Sequence, residues 1–142
     1  MSSISSFALF VSGTVTLLYS LFFLFAPNAL LSWFYGSPVH VEQVAASLCQ
    51  YFGVTNFCLA FLYLHYLPFA DKHGQGLRLA VMHCGGNLMV ALHRIYLSGS
   101  GSSWTSGIVA AKKTLIIQGA MLFLSYIALK KALREAKTKK KK

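Results

Sequence analysis

The feature that most constrains the fold of this chain is a set of four long apolar stretches, each of a length that suits a membrane-spanning helix. They cover approximately residues 4–26, 44–67, 77–97 and 108–129. A helix needs about 20 mostly apolar residues to cross the hydrocarbon core of a bilayer. Of the 142 residues, 56% are hydrophobic and only 11% are charged, whereas a soluble domain carries about 25% charged residues. We therefore expect an all-α integral membrane protein, with residues 1–129 forming a bundle of four transmembrane helices.

The connections between these stretches contain turn residues and aromatic side chains. Pro27 and Asn28 end the first stretch, and the following "NALLSWFYGSP" has the Leu, Trp, Phe and Tyr content typical of a short interfacial helix. Pro68 ends the second stretch, and the Gly/Ser-rich "SGSGSSWTSG" links the third to the fourth. The first stretch lacks a basic start and is too long for the apolar region of a signal peptide, so we interpret it as a mature helix.

Positive charge lies mainly on one side of the predicted topology. Residues 130–142 form a basic tail with eight of the 13 Lys and Arg residues. With four crossings, both termini share a side with Lys72 and Arg78, and the opposite side holds only Arg94, Lys112 and Lys113. The positive-inside rule then predicts that both termini are cytosolic. Because no aromatic residues alternate with the basic ones, we expect the tail to contact anionic lipid and not nucleic acid.

Two features favour the endoplasmic reticulum as the location. Arg78 and Arg94 are sixteen positions apart, which is about 24 Å of helix, and so short a core suits a thin bilayer. In a eukaryote, Lys139 and Lys140 would also occupy the positions of a dilysine retrieval signal. The alternative is an ordinary positive-inside tail, which would have the same sequence.

Each apolar stretch also carries small or polar residues at helical spacing, which places them on one face. In membranes, small residues permit close helix packing and polar residues form hydrogen bonds between helices. We therefore expect a partly polar bundle interior. The residues predicted to supply this buried polar packing are Gln50, Asn56, His83, Asn87 and Gln118.

A second polar group is expected at the non-cytosolic end of the bundle. It comprises His93 and Arg94 at the end of the third stretch, Lys112 at the start of the fourth, and Glu42 before the second. Glu42 is the one acidic residue there, and a partly buried charge is costly without a partner. The sequence thus predicts either an ion pair that closes a small polar pocket or, alternatively, basic side chains that reach to the interface from helix ends.

Sequence motifs of catalysis and cofactor binding are missing. There is no histidine-box cluster, GxSxG elbow or P-loop. His65 and His83 do not match in depth as haem ligands would, and no compact Cys/His set suggests zinc. The three cysteines lie in apolar runs, as small hydrophobic residues do. We expect no catalytic residue, no metal and no cofactor, and we lean against an enzyme.

Several short motifs resemble a known family. "YGSP" (residues 35–38), then a stretch containing "FG" (residues 52–53), then a stretch with a late histidine followed by "LSGSGS", resemble the layout of the ergosterol-biosynthesis scaffold family. The resemblance implies a small four-span protein of the endoplasmic reticulum that tethers enzymes of sterol synthesis. "LFAPNALLSWFYG" also looks like the first-span exit of DoxX-like small four-span proteins. Neither resemblance assigns a binding residue.

These observations lead to two hypotheses for function. The first is an integral membrane scaffold or accessory subunit that holds other membrane proteins, possibly enzymes of lipid or sterol metabolism. The alternative is a small lipid-binding membrane enzyme or transporter with a polar pocket at the lumenal end of the bundle. Membrane lipids are expected partners in both cases.

Overall fold

The computed structural model describes residues 3–35, 43–69, 71–99 and 108–139, and this part of the chain is built from helices. The all-α prediction is therefore confirmed. Five helices follow one another in the order α1 (Ser3–Phe25), α2 (Pro27–Tyr35), α3 (Gln43–Tyr66), α4 (His73–Gly99) and α5 (Ile108–Lys139). The short helix expected after the first apolar stretch is α2, and it starts at a proline, a residue favoured at the first helical position.

The link between α3 and α4 is a tight turn with its own hydrogen bonds. The amide of Phe69 donates to the carbonyl of Tyr66, and the amide of Lys72 donates to the carbonyl of Phe69. His73, the first residue of α4, is buried and donates through Nε2 to the carbonyl of Leu67 at 2.8 Å. Because the link is so short, α3 and α4 run in opposite directions.

Glycines set the close antiparallel packing of α1 against α3. Gly13 of α1 is so near α3 that a Cβ there would lie 2.8 Å from Leu64 Cδ2. Near the other end, a Cβ at Gly53 of α3 would lie 2.9 Å from Leu24 Cγ of α1. A methyl group at Gly13 would require the Leu64 side chain to move, and one at Gly53 would also press on the backbone nitrogen of Leu24 at 3.2 Å.

The α4 and α5 helices form the second close pair, and α5 also contacts α1. Leu77 near the start of α4 packs with Ala128 near the end of α5 in one apolar cluster, together with Leu9 of α1. Ser12 and Ser125 face each other in the interior, with their Oγ atoms 3.4 Å apart. The N-terminal half of α1 therefore lies beside the C-terminal half of α5, so that α1 is antiparallel to both α3 and α5.

Among the described residues, three helices are long and apolar enough to cross a membrane, not four as expected. They are Ile4–Phe25 in α1, Ser47–Tyr66 in α3 and Ile108–Thr138 in α5. The expected span at 77–97 does form a helix, α4, but His83, Asn87, His93 and Arg94 lower its mean hydropathy. These polar side chains therefore keep the mean hydropathy of α4 below that of the three candidate membrane spans. In the structure α4 is a fourth, more polar member of the bundle, packed along α5.

The fourth apolar stretch was expected at residues 108–129, and α5 continues beyond it as one helix to Lys139. Gly85 and Gly86 lie in the middle of α4, where small residues permit close approach of another helix, but a Cβ at either position would meet no atom within 4 Å. These two glycines therefore do not serve packing within the described part of the chain.

Candidate functional site

Three amide side chains from three different helices lie at one level of the bundle. Asn56 of α3, Asn87 of α4 and Gln118 of α5 all line the same cavity. These three residues come to the same height along the bundle axis because of how the helices are aligned. The helices α3 and α5 are each antiparallel to α1, and α4 is antiparallel to α5. We call these three residues the amide floor.

The amide floor has limited internal hydrogen bonding. Asn56 donates through Nδ2 to the carbonyl of Phe52 in its own helix, at 2.8 Å. Gln118 is only 8% exposed, and its Oε1 atom is buried with no hydrogen-bond partner among the described residues. The Oγ of Ser20 in α1, at about the same level, is also buried without a partner in that part of the chain. Buried polar atoms are normally paired, so Gln118 Oε1 and Ser20 Oγ have hydrogen-bonding capacity that the described residues do not use.

Aromatic and aliphatic side chains form the wall between the floor and the opening. Phe23 of α1 and Phe52 of α3 meet edge to face, with ring centroids 5.2 Å apart. Tyr19 and Phe34 stack at 5.7 Å, which places a side chain of α2 over the cavity. The complete lining consists of Tyr19, Phe23, Leu31, Phe34, Tyr35, Phe52, Asn56, Asn87, Val90, Ala91, Arg94, Ala110, Ala111, Thr114, Ile117 and Gln118.

Arg94 lies at the mouth of this cavity and is the one charged residue in the described lining. It is half-buried, and it sits two helical turns beyond Asn87 on the same face of α4. The cavity therefore has polar groups at two depths, with an apolar section between them. Its volume is about 360 Å³, within the range of roughly 300–1,000 Å³ that is usual for small-molecule sites.

The structure brings together only part of the predicted boundary group. Arg94 lines the cavity, but His93 and Lys112 are exposed and do not. Glu42 lies outside the described residues, so the predicted ion pair with Arg94 stays a prediction. Lys139 ends α5, and Lys140 lies outside the described residues.

Another lysine, Lys113, holds α2 against the bundle. Its Nζ donates to the carbonyl of Trp33 and also lies 4.7 Å from the centroid of the Trp33 ring. This double contact ties the short helix that covers the cavity to the first turns of α5.

The residues predicted to supply buried polar packing divide into three groups. Asn56, Asn87 and Gln118 form the amide floor. His83 lies outside the cavity and shares a 2.9 Å hydrogen bond between its Nδ1 and the hydroxyl of Tyr63. Gln50 is exposed, contrary to expectation. The buried face of α3 runs through Gly53, Asn56, Ala60 and Tyr63, and a step of four residues back from Gly53 reaches the half-buried Cys49 instead of Gln50.

Sequence reasoning missed Tyr63 and the aromatic wall. Tyr63 is fully buried, although its neighbours in the sequence are equally aromatic and several are exposed. The available signal was its spacing of three and seven residues from Ala60 and Asn56, which puts it on the polar face of α3. The wall residues Phe23, Phe34 and Phe52 could not be told from lipid-facing aromatics by type alone.

The described residues include no group of three His, Cys, Asp or Glu side chains that could hold a metal ion. The site instead consists of amides, one guanidinium, hydroxyls and aromatic rings. This set suits recognition of a molecule by hydrogen bonds, charge and apolar contact.

The fold and the site define a class: a helical, multi-pass membrane protein with a cavity of mixed polarity at one end of its bundle. Comparison with known proteins adds no narrower assignment, since no family model, curated protein or solved structure matches the chain. The resemblance to the ergosterol-biosynthesis scaffold family therefore stays a prediction.

Proposed function

We propose that this protein binds a lipid-like amphipathic molecule inside its helical bundle, in the cavity between the amide floor and Arg94. The observation that carries the proposal is the lining itself. Polar groups from three helices converge on a space of about 360 Å³ whose remaining wall is mostly aromatic and aliphatic, with hydroxyls from Tyr19, Tyr35 and Thr114. A small-molecule site typically has this composition, with few polar groups that fix orientation and many apolar contacts.

The free-energy cost of burying an amide without a hydrogen-bond partner supports the same proposal. An amide placed in a membrane interior without a partner loses hydrogen bonds to water, and Gln118 Oε1 is in that situation. Polar groups inside membrane bundles commonly mark a substrate or ion pathway. A bound amphipath would supply the missing partner and fill the space.

The distribution of charge along the sequence supports a membrane location and an orientation for the protein. We place the protein in the endoplasmic reticulum with both termini in the cytosol, because the basic residues concentrate at the end of α5 and the cores are short. In this orientation the cavity opens towards the lumenal leaflet. Polar α4 would lie at membrane depth with Asn87 and Arg94 turned to the cavity and with α5 beside it.

The proposal can be tested by identifying what the purified protein carries. Native mass spectrometry of protein released from nanodiscs should show a bound small molecule. Thr114→Phe, which fills the cavity from α5, should abolish that adduct. Ile116→Phe, two residues away on an exposed part of the same helix, is the matched control and should keep it. A wild-type protein without a specific adduct, or equal adducts in both variants, would refute the proposal.

A second candidate function, the membrane scaffold, is favoured by a different observation. Gly85 and Gly86 lie in mid-helix with open space around them, next to Met82 and Met89, which are 74% and 73% exposed. A glycine in a helix costs about 0.5–1 kcal/mol relative to alanine, and in membranes such positions serve close approach of another helix.

The scaffold function has its own test. Gly86→Leu should reduce recovery of partner membrane proteins in a mild-detergent pull-down, and Ala120→Leu on exposed α5 surface should not. Undiminished recovery with Gly86→Leu would remove the basis for this second candidate.

A further inference from the structure

Gln118 presents the cavity with an amide whose hydrogen-bonding capacity the described residues do not use. The residue lines the cavity and is only 8% exposed, and its Oε1 atom is buried without a partner in the described part of the chain. Its terminal amide can turn about χ3, because that torsion has broad low-energy ranges, so either amide atom can face the cavity. Gln118 can therefore accept a hydrogen bond from a bound molecule.

The amide floor lies deep in the bundle, where a charged group on a ligand would be costly. Gln118 lies ten residues inside the apolar helix Ile108–Thr138, which is about 15 Å along the helix axis. The charged residue of the described lining is Arg94, two helical turns from Asn87 on α4. Arg94 already has an interaction within the protein, so we assign it no part in selecting the ligand. The group that reaches the floor must therefore be neutral.

The hydrogen-bonding capacity of the floor narrows the choice of neutral group. Oε1 of Gln118 needs a donor, whereas the amide of Asn87, which lines the same cavity, offers both donor and acceptor atoms. A hydroxyl group donates and accepts, so it suits both amides. An ether or ester oxygen only accepts, and it would leave Oε1 of Gln118 unpaired. The floor thus favours a hydroxyl over the other neutral oxygen groups that are common in lipids.

The rest of the cavity suits an apolar body that extends from the floor towards the opening. Gln118 and Ala111 both line the cavity and are seven residues apart on α5, so the lined space extends for about 10 Å along that helix. Phe23 and Phe52 form their edge-to-face pair in the wall. An alkyl chain or a ring can contact this wall while its terminal hydroxyl lies at the floor.

We propose that the cavity selects a neutral lipid with a single hydroxyl group, a long-chain alcohol in its simplest form, and that Gln118 is the residue that determines this specificity. The hydroxyl donates a hydrogen bond to Oε1 of Gln118, and the apolar body contacts the aromatic wall. This inference rests on the proposed function and narrows it from an unspecified amphipath to a neutral one that enters with its hydroxyl first.

The experiment measures competition for a photoreactive long-chain alcohol on wild-type protein in nanodiscs. The competitors share one chain length and are the plain alcohol, its methyl ether and the corresponding carboxylate. Each is added at a known mole fraction of the nanodisc lipid, so that unequal partitioning into the bilayer does not enter the comparison, and intact mass spectrometry gives the cross-linked fraction. We expect the alcohol to displace half of the probe at a mole fraction about fivefold lower than either of the others, as one net hydrogen bond would give. Equal displacement by all three, or stronger displacement by the ether or the carboxylate, would overturn the inference.

A pair of variants assigns the specificity to Gln118. Gln118→Met removes the acceptor and keeps a side chain of similar length, so the alcohol should lose its advantage while displacement by the methyl ether stays as in wild type. Gln50→Met is the same substitution at an exposed position of α3, and it should keep the fivefold preference. An unchanged preference in Gln118→Met, or an equal loss in Gln50→Met, would show that Gln118 does not determine the specificity. The wild-type comparison decides the outcome if Gln118→Met does not fold.

The results also separate this inference from the proposed function. If native mass spectrometry shows an adduct that Thr114→Phe removes, but the alcohol has no advantage over its methyl ether, the cavity binds lipid and the assignment of a hydroxyl group is wrong. If no adduct is found and the photoreactive alcohol does not cross-link, both proposals are wrong.

Discussion

The packing of α1 against α3 makes a quantitative prediction about two glycines of the same chain. Gly53→Ala would place a Cβ 2.9 Å from Leu24 Cγ and 3.2 Å from the backbone nitrogen of Leu24. The side chain of Leu24 can rotate away, but the backbone atom moves only if the helices separate. Gly86→Ala would meet no atom within 4 Å. The two substitutions are chemically identical, so their difference reports on packing.

The expected magnitudes follow from the opposing contributions. Replacing a helical glycine by alanine favours the folded state by about 0.8–1 kcal/mol when the added methyl is unhindered. Overpacking typically costs about 1–3 kcal/mol. We therefore expect Gly86→Ala to increase the free energy of unfolding by up to about 1 kcal/mol, and Gly53→Ala to lie about 2 kcal/mol below Gly86→Ala.

The measurement is reversible unfolding in mixed micelles, followed by circular dichroism as the fraction of denaturing detergent is raised. Wild type and both variants are compared under identical conditions. If Gly53→Ala is as stable as Gly86→Ala, α1 and α3 do not approach each other as closely as the structure shows, and the reasoning is refuted.

Three further predictions concern the polar interior and the termini. Tyr63→Phe should cost about 0.6 kcal/mol, the average for a hydrogen bond between membrane helices, and a double-mutant cycle with His83→Leu should show that the two losses are not additive; additive losses would contradict a direct bond. Protease protection of epitope tags in sealed microsomes should place both chain termini on the cytosolic side, whereas termini on opposite sides would show that α4 does not cross with α1, α3 and α5. Replacing Lys139 and Lys140 by serine should release the protein from the endoplasmic reticulum in fluorescence images; an unchanged location would leave the lysines an orienting role only.

The helices were largely predictable from the sequence because long apolar runs and prolines act locally. Pro27 ends one apolar run and opens the next helix, so α2 was foreseen with nearly its observed extent. Composition was a poorer guide for α4. Its polar face is the reason it belongs in the bundle interior and also the reason it fails a hydropathy criterion, and only the packing against α5 shows its place.

The types of residue in the site could be predicted from the sequence, but which of the polar residues line the cavity could not. Helical spacing correctly separated Asn87 from the lipid-facing residues of α4, but it also put His83 on the same stripe, and the structure pairs His83 with Tyr63 outside the cavity. Which of two such residues reaches a cavity depends on what the neighbouring helix places opposite. That information lies in the register between helices, which a single sequence does not encode locally.

The continuation of α5 has a consequence for how the basic residues are presented. From Leu133 to Thr138 every side chain is exposed, yet the backbone stays helical, so these residues form a rod that projects about 10 Å beyond Ala132. A charge on such a rod, such as that of Lys137, has a fixed azimuth around the helix axis. Deleting one residue between Leu133 and Lys137 would turn Lys137 by about 100° around the axis, an effect that a flexible segment would not show.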